Sequence, residues 1–331
     1  MPTRRTFIQS TLAVTVAGAM SGAARAQGSA PFRAPFKVFD SHPHVHSGEL
    51  ARFPYRVDIE PARRERALAR PVTPEVLLKS WDEANVEMGC GVQFNALYST
   101  DNRYLLHVAE SHPRVLPVVI LWANDPATPA ALQSMVKAYG IRGVRFSGLP
   151  DGDGNFSFLG DDALRSWAAA EELGLVLVLM PMMSDNPRAL PNAMRRIGEL
   201  AARFPKLRIV MDHFGFPVAE RTPTFGFSPE HRALAEHRNV YQKYTTFLLE
   251  VLRRGGVPDK EFFNYAVSVY GADRVIWGSD FGNTPGEMSA VLQRALVSAE
   301  DLTQEQRQRI FYENAMDLFV RNNRAASGRC A

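Results

Sequence analysis

The chain has 331 residues, 46% of them apolar, and a formal charge of +3. That apolar share suits a packed globular core and excludes disordered and fibrous classes, while two cysteines, Cys90 and Cys330, are too few for a disulfide framework. Arg4, Arg5 and Arg25 supply the whole excess of positive charge within the first 26 residues, so the remainder is formally neutral and lacks the basic footprint of a nucleic-acid binder.

The two adjacent arginines precede an uncharged, moderately apolar run over residues 10–23 that is too short to span a bilayer and closes on Ala24-Arg25-Ala26, a small-x-small cleavage pattern. Residues 1–26 are therefore expected to form a removable signal peptide. Its arginine pair would address it to the twin-arginine export machinery and place the mature protein in the periplasm or outside the cell. No later apolar stretch reaches the length of a membrane span, so no stable membrane anchor is expected. Roughly 305 residues remain, an ordinary length for one α/β barrel of about 250 residues with insertions.

From residue 34 onward, short β-branched runs alternate with stretches of helical period, the pattern of repeated β-α units around a parallel barrel. Strands are expected at 36–40, 91–95, 115–121, 141–146, 175–180, 207–212, 240–245 and 274–279. Helices are expected at 74–88, 102–111, 128–139, 161–173 and 187–204, and after the last strand at 285–298 and 303–320. Thr73-Pro74 reads as a cap followed by a proline at the first helical position; Gly140 and Gly174 read as helix stops. Cys90 opens an apolar run, which predicts a buried thiol. Residues 47–72 show no clear period and read as a long binding loop or lid. The sequence thus describes a single-domain (β/α)8 TIM barrel over residues 34–320, followed by a frayed tail at 321–331.

In such a barrel the active site lies at the carboxyl ends of the strands. The first strand runs into His42 and His44, which share one side of an extended segment and converge as a pair of imidazoles suited to a divalent metal such as zinc. The sixth ends at His213 and the eighth at Asp280. Any one of these can be a satisfied structural group, but three strands delivering such groups to one rim favour a site. His46 continues the register beyond the strand and reads as loop; His107, His112, His231 and His237 sit in helical or helix-edge contexts and read as surface or packing residues.

The stretches FDSHPHVH (39–46), GIRGVRF (140–146), RIVMDHFGFP (208–217), DRVIWGSDF (273–281) and ENAMDLF (313–319) together resemble the amidohydrolase superfamily, in its lactonase-like branch with pyrone dicarboxylate lactonase, sugar lactonases and galactarolactone isomerase. The resemblance implies that His42 and His44 line the floor of the site, that His213 binds or polarises the scissile carbonyl, and that Asp280 is the general base. It also implies that Arg145 faces the substrate from the fourth strand, with Asn95 and Tyr55 on the rim. Hydrolysis of a small lactone or related ester fits these residues, with His213 and Arg145, and a metal if bound, holding the oxyanion.

The chain departs from its relatives where tight metal binders supply a histidine or modified lysine, for it carries Arg145 and Met180 there. Zinc would then rest on His42, His44 and Asp280 with a position left open. The extra basic residues that resemblance to the pyrone dicarboxylate enzyme would require are replaced by Gly148-Leu149-Pro150 and Phe216, which argues against a dicarboxylate. Arg145 can alternatively be a salt bridge inside the barrel. The same residues also suit a lactone isomerase or a decarboxylase, and a third reading is a periplasmic small-molecule binding protein on a decayed barrel.

Overall fold

The computed structural model describes residues 31–322; the expected signal segment and Cys330 lie outside them. Eight parallel strands follow one another in sequence order: β1 (Val38–Asp40), β2 (Val86–Val92), β3 (Val115–Ile120), β4 (Gly143–Gly148), β5 (Val176–Pro181), β6 (Arg208–Met211), β7 (Val240–Thr245) and β8 (Val275–Gly278). Each is buried on both faces because the helices cover the outside and side chains fill the inside, which is why the strands read as nearly unbroken apolar runs. The seam between β8 and β1 is closed by Ser41, whose backbone N–H and hydroxyl both donate to the carbonyl of Trp277, at 3.1 and 2.6 Å.

The barrel interior is layered by polarity. Phe39, Cys90, Val92, Val118, Val178 and Ile276 fill its lower part with Ala315, Leu318 and Phe319 of the C-terminal helical segment. Phe319 stacks on Phe39 with ring centroids 6.1 Å apart, plugging the amino end. Charged and polar interior residues therefore gather at the carboxyl end. Cys90 is buried and unpaired, as expected. No helix among the described residues is long and apolar enough to cross a membrane.

Several boundaries differ from expectation. The helix expected over 74–88 stops at Ala84 as Pro74–Ala84, because Asn85 adopts a left-handed backbone (φ 70°) and its amide donates to the carbonyls of Ala34 and Phe36. The chain released there starts β2 five residues early, and Asn95 falls in a short helix (Asn95–Tyr98) rather than at a strand end. Residues 47–72, read as aperiodic, contain a helix, α1 (Pro61–Ala69), with proline at its first position. Arg321 continues the last helical turn instead of beginning the frayed tail.

Candidate active site

The site is assembled where the carboxyl ends of β1, β6 and β8 meet. Asp40 stitches the seam: its carboxylate accepts from the backbone N–H and hydroxyl of Ser279 (2.8 and 2.6 Å), the indole of Trp81 (3.1 Å) and the N–H of His42 (3.1 Å). Burial raises its pKa against these bonds. The seam is so close that a Cβ on Gly278 would stand 2.5 Å from the Cβ of His42, and glycine is what lets His42 lie against β8.

His42 is fully buried, with Nδ1 3.2 Å from Asp212 Oδ1 and Nε2 3.7 Å from Asp280 Oδ1. Its ring lies 4.9 Å from His44 and 5.2 Å from His213. The Nδ1 of His44 meets the carbonyl of Val92 at 2.8 Å. Its Nε2 lies 3.3 Å from Asp280 Oδ1. Asp280 itself has a left-handed backbone (φ 55°), and its second oxygen accepts from Asn283 at 3.0 Å and from the Thr284 hydroxyl.

His213 shows how two consecutive residues can serve one site. Along a strand, Asp212 and His213 would face opposite ways, but left-handed backbone at His213 and Phe214 (φ 54° at both) turns the chain. The His213 imidazole then packs on His42 and meets the Thr245 hydroxyl at 2.6 Å, while Phe214 points out into Phe227, Tyr244, Phe262 and Tyr270.

Burial drives the His42 pKa down to about 3, against the pull of Asp212, and lowers that of His213. For the two carboxylates burial works the other way and is overcome: Lys243, then His42 and Arg145, hold Asp212 well below the carboxylate range, and the neighbouring His44, His42 and His213 lower Asp280. At neutral pH the site therefore presents two carboxylates with the His42 and His213 imidazoles unprotonated, a donor set that suits a divalent cation. Two triads have ligand atoms mutually within 4.8 Å, His42 with His44 and Asp280, and His42 with Asp212 and His213. Nε2 of His42 and Oδ1 of Asp280, 3.7 Å apart, are buried without a hydrogen-bond partner, a costly arrangement that a cation shared between them relieves. The residues fit a metal.

Arg145 reaches the same cluster, with Nη1 3.4 Å from Asp212 Oδ2 and Nη2 donating to the carbonyl of Gln93 at 2.8 Å, so its charge is spent on a buried salt bridge. Tyr55 and Asn95 stand apart. The Tyr55 hydroxyl donates to the Ser47 carbonyl at 2.6 Å and lies 3.4 Å from Nδ1 of His46, its ring packs on Tyr98, and no hydrogen bond or ion pair among the described residues joins Tyr55 or Asn95 to His42, His44 or His213. His46, read as loop, is buried beside Tyr55 and Phe94. His231 packs as expected, with Nε2 3.0 Å from the Gly215 carbonyl.

Sequence reasoning missed Asp212 and Lys243. The Nζ of Lys243 lies 2.8 Å from Asp212 Oδ1, both side chains wholly buried. The available signal was parity: Lys243 and Thr245 share one face of β7, and a lysine at an interior position demands an acid partner.

Residues 39–321 match the amidohydrolase family model. L-fucono-1,5-lactonase of Burkholderia ambifaria is 30% identical over 55% of this chain; the match spans 60% of that protein's own length. 4-Sulfomuconolactone hydrolase of Rhizobium radiobacter is 29% identical over 76% of this chain and 79% of its own. Among solved structures, an amidohydrolase from Burkholderia multivorans with bound zinc superposes with a TM-score of 0.67 at 21% identity, covering 86% of this chain and 99% of that one, and supports the barrel fold.

Proposed function

This chain belongs to the amidohydrolase family, and from that premise we propose that it is a hydrolase that opens a small lactone or related cyclic ester by attack of water. The observation that carries the reading is the convergence of His42 and His44 on the buried, unpartnered oxygen of Asp280, with His213 packed against His42. The names of the two lactone-opening relatives support the substrate class.

In this reading Asp280 is the general base. Its low pKa keeps it ionised, and Asn283 and Thr284 hold one oxygen so that the other faces the reacting water. His213, steadied by Thr245, presents its other ring nitrogen toward the carbonyl oxygen that gains charge. Arg145 and Lys243 act through Asp212, whose carboxylate orients His42 from beneath. His42, His44 and Asp280 would hold a divalent ion, with zinc favoured by the imidazole donors. Such an ion supplies Lewis-acid polarisation of the ester and acidifies bound water.

Turnover of a lactone panel by Asp280→Asn tests the reading: loss of roughly 10²-fold or more is expected for a general base, and undiminished activity removes Asp280 from that role. Reaction in 18O-labelled water separates hydrolysis, which places solvent oxygen in the product, from isomerisation or decarboxylation by the same residues.

A further inference from the structure

Between α1 and the loop after β8 lies a cavity of about 400 Å3. Arg63, Arg66 and Arg70 line one side, and Asn283 and Thr284 the other. Spacings of three and four residues set the three guanidinium groups along one side of the helix and its end. Arg63 reaches Asn283 Oδ1 at 3.4 Å, and Arg66 has Glu60 at 3.8 Å, both well exposed. Neither Arg63 nor Arg70 forms an ion pair among the described residues. Glu287 is the one acid among the described lining residues, so three cations face one carboxylate across a hollow whose remaining wall includes Val72, Phe94 and Leu97. Apolar walls with a few convergent polar groups are how ligand sites are built.

The hollow shares its walls with the reaction centre. Phe94 stacks on His44 with centroids 4.6 Å apart, and Asn283 and Thr284 both donate to Asp280. His46 lines the hollow two residues beyond His44, at most about 7 Å of extended chain.

We infer that this hollow is the subsite for an anionic substituent of the substrate, the ester ring sitting at His42, His44 and Asp280 while the α1 arginines hold a carboxylate or sulfonate about one ring-width away. The inference rests on the lactone-opening reading and narrows it to lactones carrying an acid group. It also gives α1 a task, since Arg63 touches the substituent and, through Asn283, the residue that anchors Asp280.

The test compares two inert rings, tetrahydropyran-2-carboxylate and its carboxamide, by ligand-observed NMR titration of the purified protein. The acid is expected to bind about tenfold or more tightly than the amide, the scale of bidentate guanidinium–carboxylate bonding, with the difference shrinking in high salt. Arg63→Gln and Arg66→Gln, at accessible helix positions, are each expected to abolish most of the preference. Equal affinities in the parent protein, or a preference that survives in both variants, overturn the inference. Because no turnover is read, failure of the lactonase reading leaves a positive result standing, and an active lactonase with no acid preference removes the subsite alone.

Discussion

Lys243→Met deletes the ammonium that lies 2.8 Å from Asp212 Oδ1 with both side chains out of solvent. At an effective dielectric of about 20, two charges at that distance attract by about 6 kcal/mol. Arg145 remains 3.4 Å from the other carboxylate oxygen and offsets part of the loss; His42, unprotonated, adds no opposing charge. Removing one partner of a buried pair costs about 3–5 kcal/mol, and the surviving arginine puts Lys243→Met near the bottom, at about 3. Asp212→Asn strands both Lys243 and Arg145 and belongs near the top of that range. Since the two changes remove one shared interaction, the double variant is expected to be more stable than the sum predicts by about 2 kcal/mol or more. Urea unfolding of the four proteins, followed by far-UV circular dichroism and tryptophan fluorescence, measures this. Additivity within about 0.5 kcal/mol would refute the pairing.

Gly278→Ala places a methyl group against His42 and is expected to lower kcat/KM by roughly 10²-fold, the scale of an ångström's misplacement, with unchanged circular dichroism; full activity would show that the position of His42 is immaterial. Elemental analysis of the purified protein is expected to find about one divalent ion per chain, and His44→Ala to lose it; equal metal content in both removes His44 as a ligand. Burial lowers the His231 pKa below its ordinary 6.5, so the unfolded chain takes up the proton that the folded one refuses. Stability is then full above pH 6.5 and falls as pH drops from there toward the folded value, by up to about 1.4 kcal/mol per pH unit. His231→Gln should flatten that slope, and an identical slope in both proteins assigns it elsewhere. Replacing Arg4 and Arg5 by lysine keeps the charge but removes the twin-arginine signature; the uncleaved precursor is expected in the cytoplasm, and normal export by the variant would sink that reading.

The barrel was legible because burial on both faces imposes unbroken apolar runs, and β7 occupies 240–245 as its sequence predicts. Boundaries slipped where a local device outweighed periodicity. Asn85 can adopt φ 70° and satisfies two carbonyls with its side chain, so α-helical patterning that continues past it carries no weight. Helix α1 was hidden because its sequence, PARRERALA, buries only Ala67 and so has no apolar stripe to read. His42, His44, His213 and Asp280 stood out because each follows a strand end. Their partners did not, because Asp212 and Lys243 are recognised only once strand parity is known, and parity is set by closure of the ring.

Closure also settles the meaning of the left-handed residues. A non-glycine residue with positive φ costs about 1–3 kcal/mol and persists only where surrounding structure fixes it. Here such residues occur at His213 and Asp280, the last polar positions of the two strands that face the β1 histidines. Without the turn at His213, Asp212 and His213 would point to opposite sides, and the centre would have either its buried anion or its third imidazole but not both. Phe214, driven outward by the same turn, packs among Phe227, Tyr244, Phe262 and Tyr270, and burying an aromatic ring contributes about 1.5–3 kcal/mol. The apolar cluster outside the barrel is thus what holds the strained backbone inside it, and the placement of His213 depends on packing as much as on its own strand.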